Sequence, residues 1–274
     1  MIRAHWLPPL SVVLFSLFAA FAASAATLQT KAPFALLVDA NTGAVLFAKN
    51  ADKPMDPAST TKILTAEIVF RAISEGKLSL SSKLPISARA AQEGDAESGG
   101  SSMFAQANTD VSVEDLLRGL LITSGNDAAI ALAEGVAGSE EAFVTRMNQR
   151  ARELGMSHSH FANAWGDGSP GQRVTARDMA HLAAHMIQTY PQYYRYFGES
   201  EFTWNNIRQH NRNPLLGMNI GADGLKTGHL ARSGFGLVGS AVQNGRRLIL
   251  VLNGTRSEAE RASEARKLME AGFR

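Results

Sequence analysis

Residues 63–73 (Ile-Leu-Thr-Ala-Glu-Ile-Val-Phe-Arg-Ala-Ile) are apolar on nearly every side once wound into a helix. A surface helix carries one apolar stripe, so a helix like this must be enclosed by other elements. The chain therefore has to fold in layers around it. Residues 34–39 and 44–48 read as strands around Asn41-Thr42-Gly43, a hairpin signal. Helical patterns follow at about 112–122, 126–136, 139–154 and 175–190, with 155–174 as a loop. Residues 77–110 read as irregular, and 94–102 as a mobile surface loop beside the site. The tail returns to strands at 201–205, 224–227, 235–242 and 248–253, with Asn244-Gly245 a turn signal between the last two. A final helix covers 257–271. Strands at both ends with helices between predict an α+β fold. Its antiparallel sheet is formed by both termini and flanked by helices, with a helical insert.

Residues 1–25 read as a secretory signal peptide. Arg3 starts it, 10–22 is the apolar run, and Ala23-Ser24-Ala25 is a small-residue cleavage site. The run is short for a membrane span. Residues 26–274 are then expected to be one domain. With Arg3 removed, 27 − 1 = 26 basic residues face 25 acidic ones, a net charge of +1. That balance, with no basic cluster, argues against nucleic acid. There are no cysteines and so no disulfide scaffold.

Three motifs stand in order: Ser59-Thr60-Thr61-Lys62, Ser124-Gly125-Asn126 and Lys226-Thr227-Gly228. A serine hydroxyl needs a base before it attacks, and one helical turn brings Lys62 to Ser59. The other motifs add a second hydroxyl, an amide and a second cation. Such a set acts on carbonyl substrates that carry a carboxylate. Ser-x-x-Lys alone says little, since roughly one copy is expected by chance. Ser74-Glu75-Gly76-Lys77 fits it too. Ser59, however, opens the apolar helix, where N–H groups and the dipole favour negative charge. Ser74 closes the same stretch just before Gly76, a stop signal. Ser124-Gly125-Asn126 could be a plain turn, and Lys226-Thr227-Gly228 a strand end. It is their order and spacing together that point to a site.

The chain resembles the penicillin-binding protein and serine β-lactamase superfamily. It is most similar to the low-molecular-weight D-alanyl-D-alanine carboxypeptidases, peptidase family S11. Pro57-Ala58 before Ser59, Leu117-Arg118-Gly119-Leu120, Asp127-Ala128 after Asn126, Gly138 to Phe143, Asp223 to His229 and Gly272-Phe273-Arg274 carry the likeness. It extends over nearly everything after residue 33. The resemblance implies a β-lactamase/transpeptidase-like fold and a serine carboxypeptidase that removes the terminal D-alanine of peptidoglycan stem peptides. β-Lactams would be covalent inhibitors, and no cofactor or metal is implied. Ser59 is the implied nucleophile, Lys62 its base, Ser124 a proton relay, and Asn126 a holder of the substrate amide. Lys226, Thr227, Gly228 and His229 line the substrate, with the N–H groups of Ser59 and His229 as oxyanion hole. Thr227 and Arg256, with Arg208 behind them, are the candidates for the substrate carboxylate. Lys62 must be partly neutral near pH 7, which burial and the nearby Lys226 would favour. Leu230 stands where many relatives carry Thr.

Other readings compete with this one. A class A β-lactamase needs a Glu-x-x-Leu-Asn string, which the chain lacks. A DD-endopeptidase differs only in pocket shape. A silent peptidoglycan-binding protein would not need Ser59, Lys62, Ser124 and Lys226 intact. His181 and His185 have i, i+4 spacing, but no third ligand is suggested. The final helix, with Ala262, Ala265, Leu268, Met269 and Phe273 in one stripe, is expected to pack on the sheet rather than lie on a membrane. The chain stops where the first domain of many relatives ends, so their β-rich second domain and membrane anchor are not expected. The protein is expected in the periplasm or an equivalent extracytoplasmic space.

Overall fold

The computed structural model describes residues 28–94 and 100–274. The segment read as a signal peptide lies outside these residues, as does part of the stretch 94–102 read as a loop. A five-stranded antiparallel sheet in the order β2-β1-β9-β8-β7 is built from both ends of the chain. Its strands are β1 (Phe34–Asp39), β2 (Val45–Lys49), β7 (Ala222–Leu230), β8 (Gly234–Gln243) and β9 (Arg246–Thr255). Asn244 and Gly245 join β8 to β9 with φ of 51° and 77°, the left-handed pair that a tight hairpin needs. Leu248, Leu250 and Leu252 of β9 join one core and Ile249 and Val251 the other, so the strand is buried on both faces. That explains its unbroken apolar run.

Between β2 and β7 lie the helices. The central one, α1 (Lys62–Ser74), buries every residue from Lys62 to Phe70. Around it stand α2 (Ala88–Glu93), α3 (Val113–Arg118), α4 (Asn126–Ala137), α5 (Glu140–Glu153), α6 (Ala176–Thr189) and the short α7 (Pro191–Tyr194). Side chains of Ser112, Ser139 and Thr175 accept from the backbone N–H three residues on and fix the starts of α3, α5 and α6.

The structure departs from the sequence reading in three places. The stretch read as irregular holds α2 and a small ladder of β3 (Lys83–Pro85) with β4 (Asp110–Ser112). These elements are too short to show a period. Helix α3 gives way at Gly119 to a wider π turn ending at Thr123. The strand at 201–205 does not join the main sheet. It is β5 (Glu201–Trp204), paired with β6 (Ile207–His210) in a separate hairpin turned by Asn205 and Asn206. The polar Arg208-Gln209-His210 concealed the second strand.

The last helix, α8 (Glu258–Phe273), lies on the sheet face opposite α1, where Leu268 and Met269 are fully buried against Leu37, Leu237 and Leu248. Phe273 is only half-buried. Among the described residues no helix is long and apolar enough to cross a membrane. Truncating Leu268 leaves a cavity in this layer. Leu268→Ala is expected to lower unfolding free energy by about 2–5 kcal/mol. Urea denaturation checks this: a loss under about 0.5 kcal/mol, the usual range of surface changes, would show that α8 is not docked.

Candidate active site

Ser59 sits in a tight turn. Residues Ala58–Thr61 form a 3-10 turn that feeds directly into α1. Ala58 has φ of 48°, a left-handed conformation uncommon for a residue with a Cβ. Two glycines press on this turn from opposite elements. A Cβ on Gly228 of β7 would lie 2.9 Å from the Pro57 carbonyl and 3.2 Å from the Ser59 nitrogen. A Cβ on Gly166 would lie 1.9 Å from the Ala58 carbonyl oxygen. Glycine at 228 therefore lets the sheet edge approach Ser59.

Lys62 is fully buried one turn on. Its Nζ contacts Ser59 Oγ at 3.1 Å, Asn126 Oδ1 at 2.9 Å and the Trp165 carbonyl at 2.7 Å. The last two groups can only accept. A neutral amine has two hydrogens and one lone pair. With both hydrogens given to Asn126 and Trp165, the lone pair is left for the Ser59 hydroxyl. Burial brings Lys62 down to about 7, helped by the Arg212 charge and opposed by Asp127 and Asp167. Arg212 thus adds to the effect of Lys226, the cation the sequence reading had named, which shares the same like-charge repulsion with Lys62. Lys226 is itself pushed well below the usual lysine range, first by burial, then by Lys62, Arg212 and Arg261.

Lys226 Nζ donates to Ser124 Oγ at 2.9 Å and to the Thr227 carbonyl at 3.1 Å. Ser124 ends the π turn with φ of 63°, a strained conformation that aims its hydroxyl into the site. Asn126 opens α4, and its N–H donates to the Ser101 carbonyl at 2.7 Å. Next to it, buried Asp127 accepts from Ser102 Oγ and from the N–H groups of Met103, Ala105 and Ala128. This carboxylate ties the 101–105 segment to the Ser124–Asn126 turn. The Trp165 carbonyl is fixed by Asn163 Oδ1, which accepts from the N–H groups of Trp165 and Gly166.

A cavity of about 480 Å³ brings together Ser59, Ser124, Asn126, Thr227, Gly228 and His229. Arg212, Arg261 and Leu230 line it too. Arg208 and Arg256 do not reach it. Arg208 is exposed and held by Glu201 across its hairpin, and Arg256 is exposed and held by Glu260 on the first turn of α8. The cavity's arginines are instead Arg212, which donates to Ser101 Oγ at 2.7 Å, and Arg261, buried with an Nε that lacks a hydrogen-bond partner. Arg261 was detectable as a charge on the apolar side of the final helix. Arg212 and the Trp165 carbonyl carried no sequence signal. His185, half of the i, i+4 pair, instead contacts buried Glu67 Oε1 at 3.0 Å, and among the described residues no group of three acidic or histidine side chains could hold a metal.

Residues 19–257 match the family model of D-alanyl-D-alanine carboxypeptidase, Peptidase_S11. The chain is 44% identical over 241 residues to D-alanyl-D-alanine carboxypeptidase DacC of Escherichia coli (strain K12), covering 87% of this chain and 60% of that protein. It superposes with TM-score 0.86 and 40% identity on penicillin binding protein 5 from Haemophilus influenzae, covering 90% of this chain and 72% of that one. Penicillin-Binding Protein D2 from Listeria monocytogenes, in its ampicillin-bound form, gives TM-score 0.80 at 31% identity over 90% of this chain and 99% of its own. The chain spans about three fifths of the length of the Escherichia coli relative. With a serine, a half-neutral lysine and a cavity lined by two arginines arranged as described, and with these likenesses across most of its length, this chain belongs to the D-alanyl-D-alanine carboxypeptidase family, peptidase family S11.

Proposed function

We propose that this protein is a serine carboxypeptidase that removes the terminal D-alanine from peptidoglycan stem peptides through an acyl-enzyme on Ser59. The observation that carries this reading is the Lys62 amine, buried, near neutrality at pH 7, and facing the Ser59 hydroxyl with its other two contacts to obligate acceptors. Lys62 takes the Ser59 proton as Oγ attacks the penultimate D-alanine carbonyl. The N–H groups of Ser59 and His229 stabilise the oxyanion. Ser124, backed by Lys226, passes a proton to the leaving nitrogen. Asn126 holds the substrate amide. Thr227, Arg212 and Arg261 receive the terminal carboxylate, and the unpartnered Arg261 Nε supports that role. Water then hydrolyses the ester. A β-lactam presents a carbonyl and a carboxylate in the same relation, so penicillins should acylate Ser59. We place the reaction outside the cytoplasm, after removal of residues 1–25, with residues 26–274 acting as the catalytic domain.

A fluorescent penicillin should label one peptide, the one containing Ser59, and D-alanine should be released from a pentapeptide stem. Labelling that survives Ser59→Ala sinks the assignment. Lys62→Arg should lower acylation by about 10²–10⁴-fold, since arginine stays protonated.

Lys62 acts as a base only when neutral, and its pKa is lowered to about 7. The acylation rate should therefore rise with pH through an apparent pKa of about 7 and level off above it. A rate that is flat between pH 6 and 8, or falls, would count against a lysine base. Arg261→Ala should lower kcat/KM for D-alanyl-D-alanine peptides by about 10–100-fold, roughly the 1.5–3 kcal/mol of hydrogen bonds to a charged group. An unchanged kcat/KM would remove Arg261 from the carboxylate site.

A further inference from the structure

The catalytic cavity does not carry one sign of charge throughout. On one wall stand Arg212 and Arg261, and the acidic residue beside them, Glu258, pairs with Arg261 at 3.7 Å. Another wall comes from Trp165, Gly166 and Asp167. A Cβ on Gly168 would lie 3.1 Å from Leu230 Cδ1, so this segment packs on the end of β7. The Asp167 carboxylate accepts from Asn163 Nδ2, from the Ser169 N–H at 2.7 Å and from Ser169 Oγ at 2.9 Å. All three donors are neutral. Arg232, whose charge interacts with Asp167, is taken by Asp56 at 2.9 and 2.8 Å. Asp167 is thus exposed, fixed in place, and among the described residues without a cation in an ion pair. Trp165 and the half-buried Leu230 offer apolar surface next to it. Apolar walls that end at a carboxylate suit a methylene chain that ends in an ammonium. Removal of a terminal D-alanine does not by itself call for such a place.

We propose that Asp167 selects stem peptides in which the residue before the two D-alanines carries a free side-chain ammonium, whose methylenes lie on Trp165 and Leu230. This selectivity rests on the carboxypeptidase reading and adds an acyl-side preference to it. The leaving D-alanine is drawn to Arg212 and Arg261. The acyl half of the substrate therefore extends the other way, past Asn126 and Leu230 toward the segment that holds Asp167. The ammonium there meets a carboxylate that needs no reorganisation, because Asn163 and Ser169 already hold it. A stem acylated at that nitrogen carries no charge and loses the contact. An anionic side chain is repelled. The enzyme then takes stems with a free amine ahead of those in which the amine is capped.

The test uses two pentapeptides that end in D-alanyl-D-alanine and differ only at the preceding residue, L-lysine in one and Nε-acetyl-L-lysine in the other. D-Alanine release gives kcat/KM for each. Asp167 also acts on Lys62, so removing its charge alters the rate on every substrate. The ratio of the two kcat/KM values cancels that common change and is the quantity read. In the wild type it should favour lysine by about fivefold, the upper end for a solvent-exposed ion pair. In Asp167→Asn, which keeps an oxygen for Ser169, it should fall to about one. Asp167→Lys should reverse the preference toward an Nε-succinyl-lysine peptide. If neither variant folds, the wild-type ratio should still shrink between about 0.05 and 0.5 M salt, as screening predicts. A wild-type ratio near one overturns the proposal, as does a ratio that survives Asp167→Asn or that salt leaves unchanged. Equal hydrolysis of both peptides would leave the carboxypeptidase reading standing. Release of D-alanine from neither, with no penicillin labelling, would overturn that reading itself.

Discussion

The structure turns on one buried amine. A lysine ammonium excluded from water is costly unless it is neutralised or fully bonded. Around Lys62 the fold supplies three oxygens from three different segments: the turn before α1, the start of α4, and the loop at Trp165. Each must be held to within a few tenths of an ångström for the amine to stay half-neutral and directed at Ser59. Much of the surrounding architecture does that holding. Asp127 fixes the Asn126 side, Asn163 fixes the Trp165 side, and Gly228 lets β7 close on the Ser59 turn.

This arrangement places strain where it has a use. Ala58 and Ser124, both with positive φ, flank the reacting centre. Neither belongs to a regular α-helix or strand; Ala58 precedes Ser59 in its turn, and Ser124 presents its hydroxyl to the cavity. The cations follow the same logic. Arg212 and Arg261 line the cavity together, so an incoming carboxylate meets two guanidinium groups rather than one.

What could be read from the chain depended on the range over which the information lies. Ser59 and Lys62 are one turn apart, so their contact follows from helix geometry. The enclosed helix α1 and the double-faced strand β9 were visible in their apolar runs. The arginines that line the cavity were not the ones expected. Arg256 and Arg261 are five residues apart, yet one precedes α8 and bonds Glu260 while the other enters the core and the cavity. Arg208 and Arg212 are four apart, and only the second lies past the hairpin, where it reaches Ser101. In the first case the choice is made by how α8 sits on the sheet and in the second by where the hairpin ends, and local sequence encodes neither. The Trp165 carbonyl lay beyond sequence reasoning for a simpler reason: a backbone oxygen has no residue type.

The buried amine also ties catalysis to the stability of the fold. Its pKa in the folded protein is near 7, while a lysine in the unfolded chain keeps a value near 10.5. Between those values the unfolded chain binds more protons, so the contribution of Lys62 to stability rises with pH across that window. Below about pH 7 both states are protonated, and the full cost of enclosing a charge is felt. Lys226, lowered in the same direction, adds to the slope. Acidification therefore takes up the lone pair that faces Ser59 and loosens the layers around α1 through one protonation event. A ligand carboxylate that offsets this charge would tighten the same layers, so the folded state is most secure when the site is occupied.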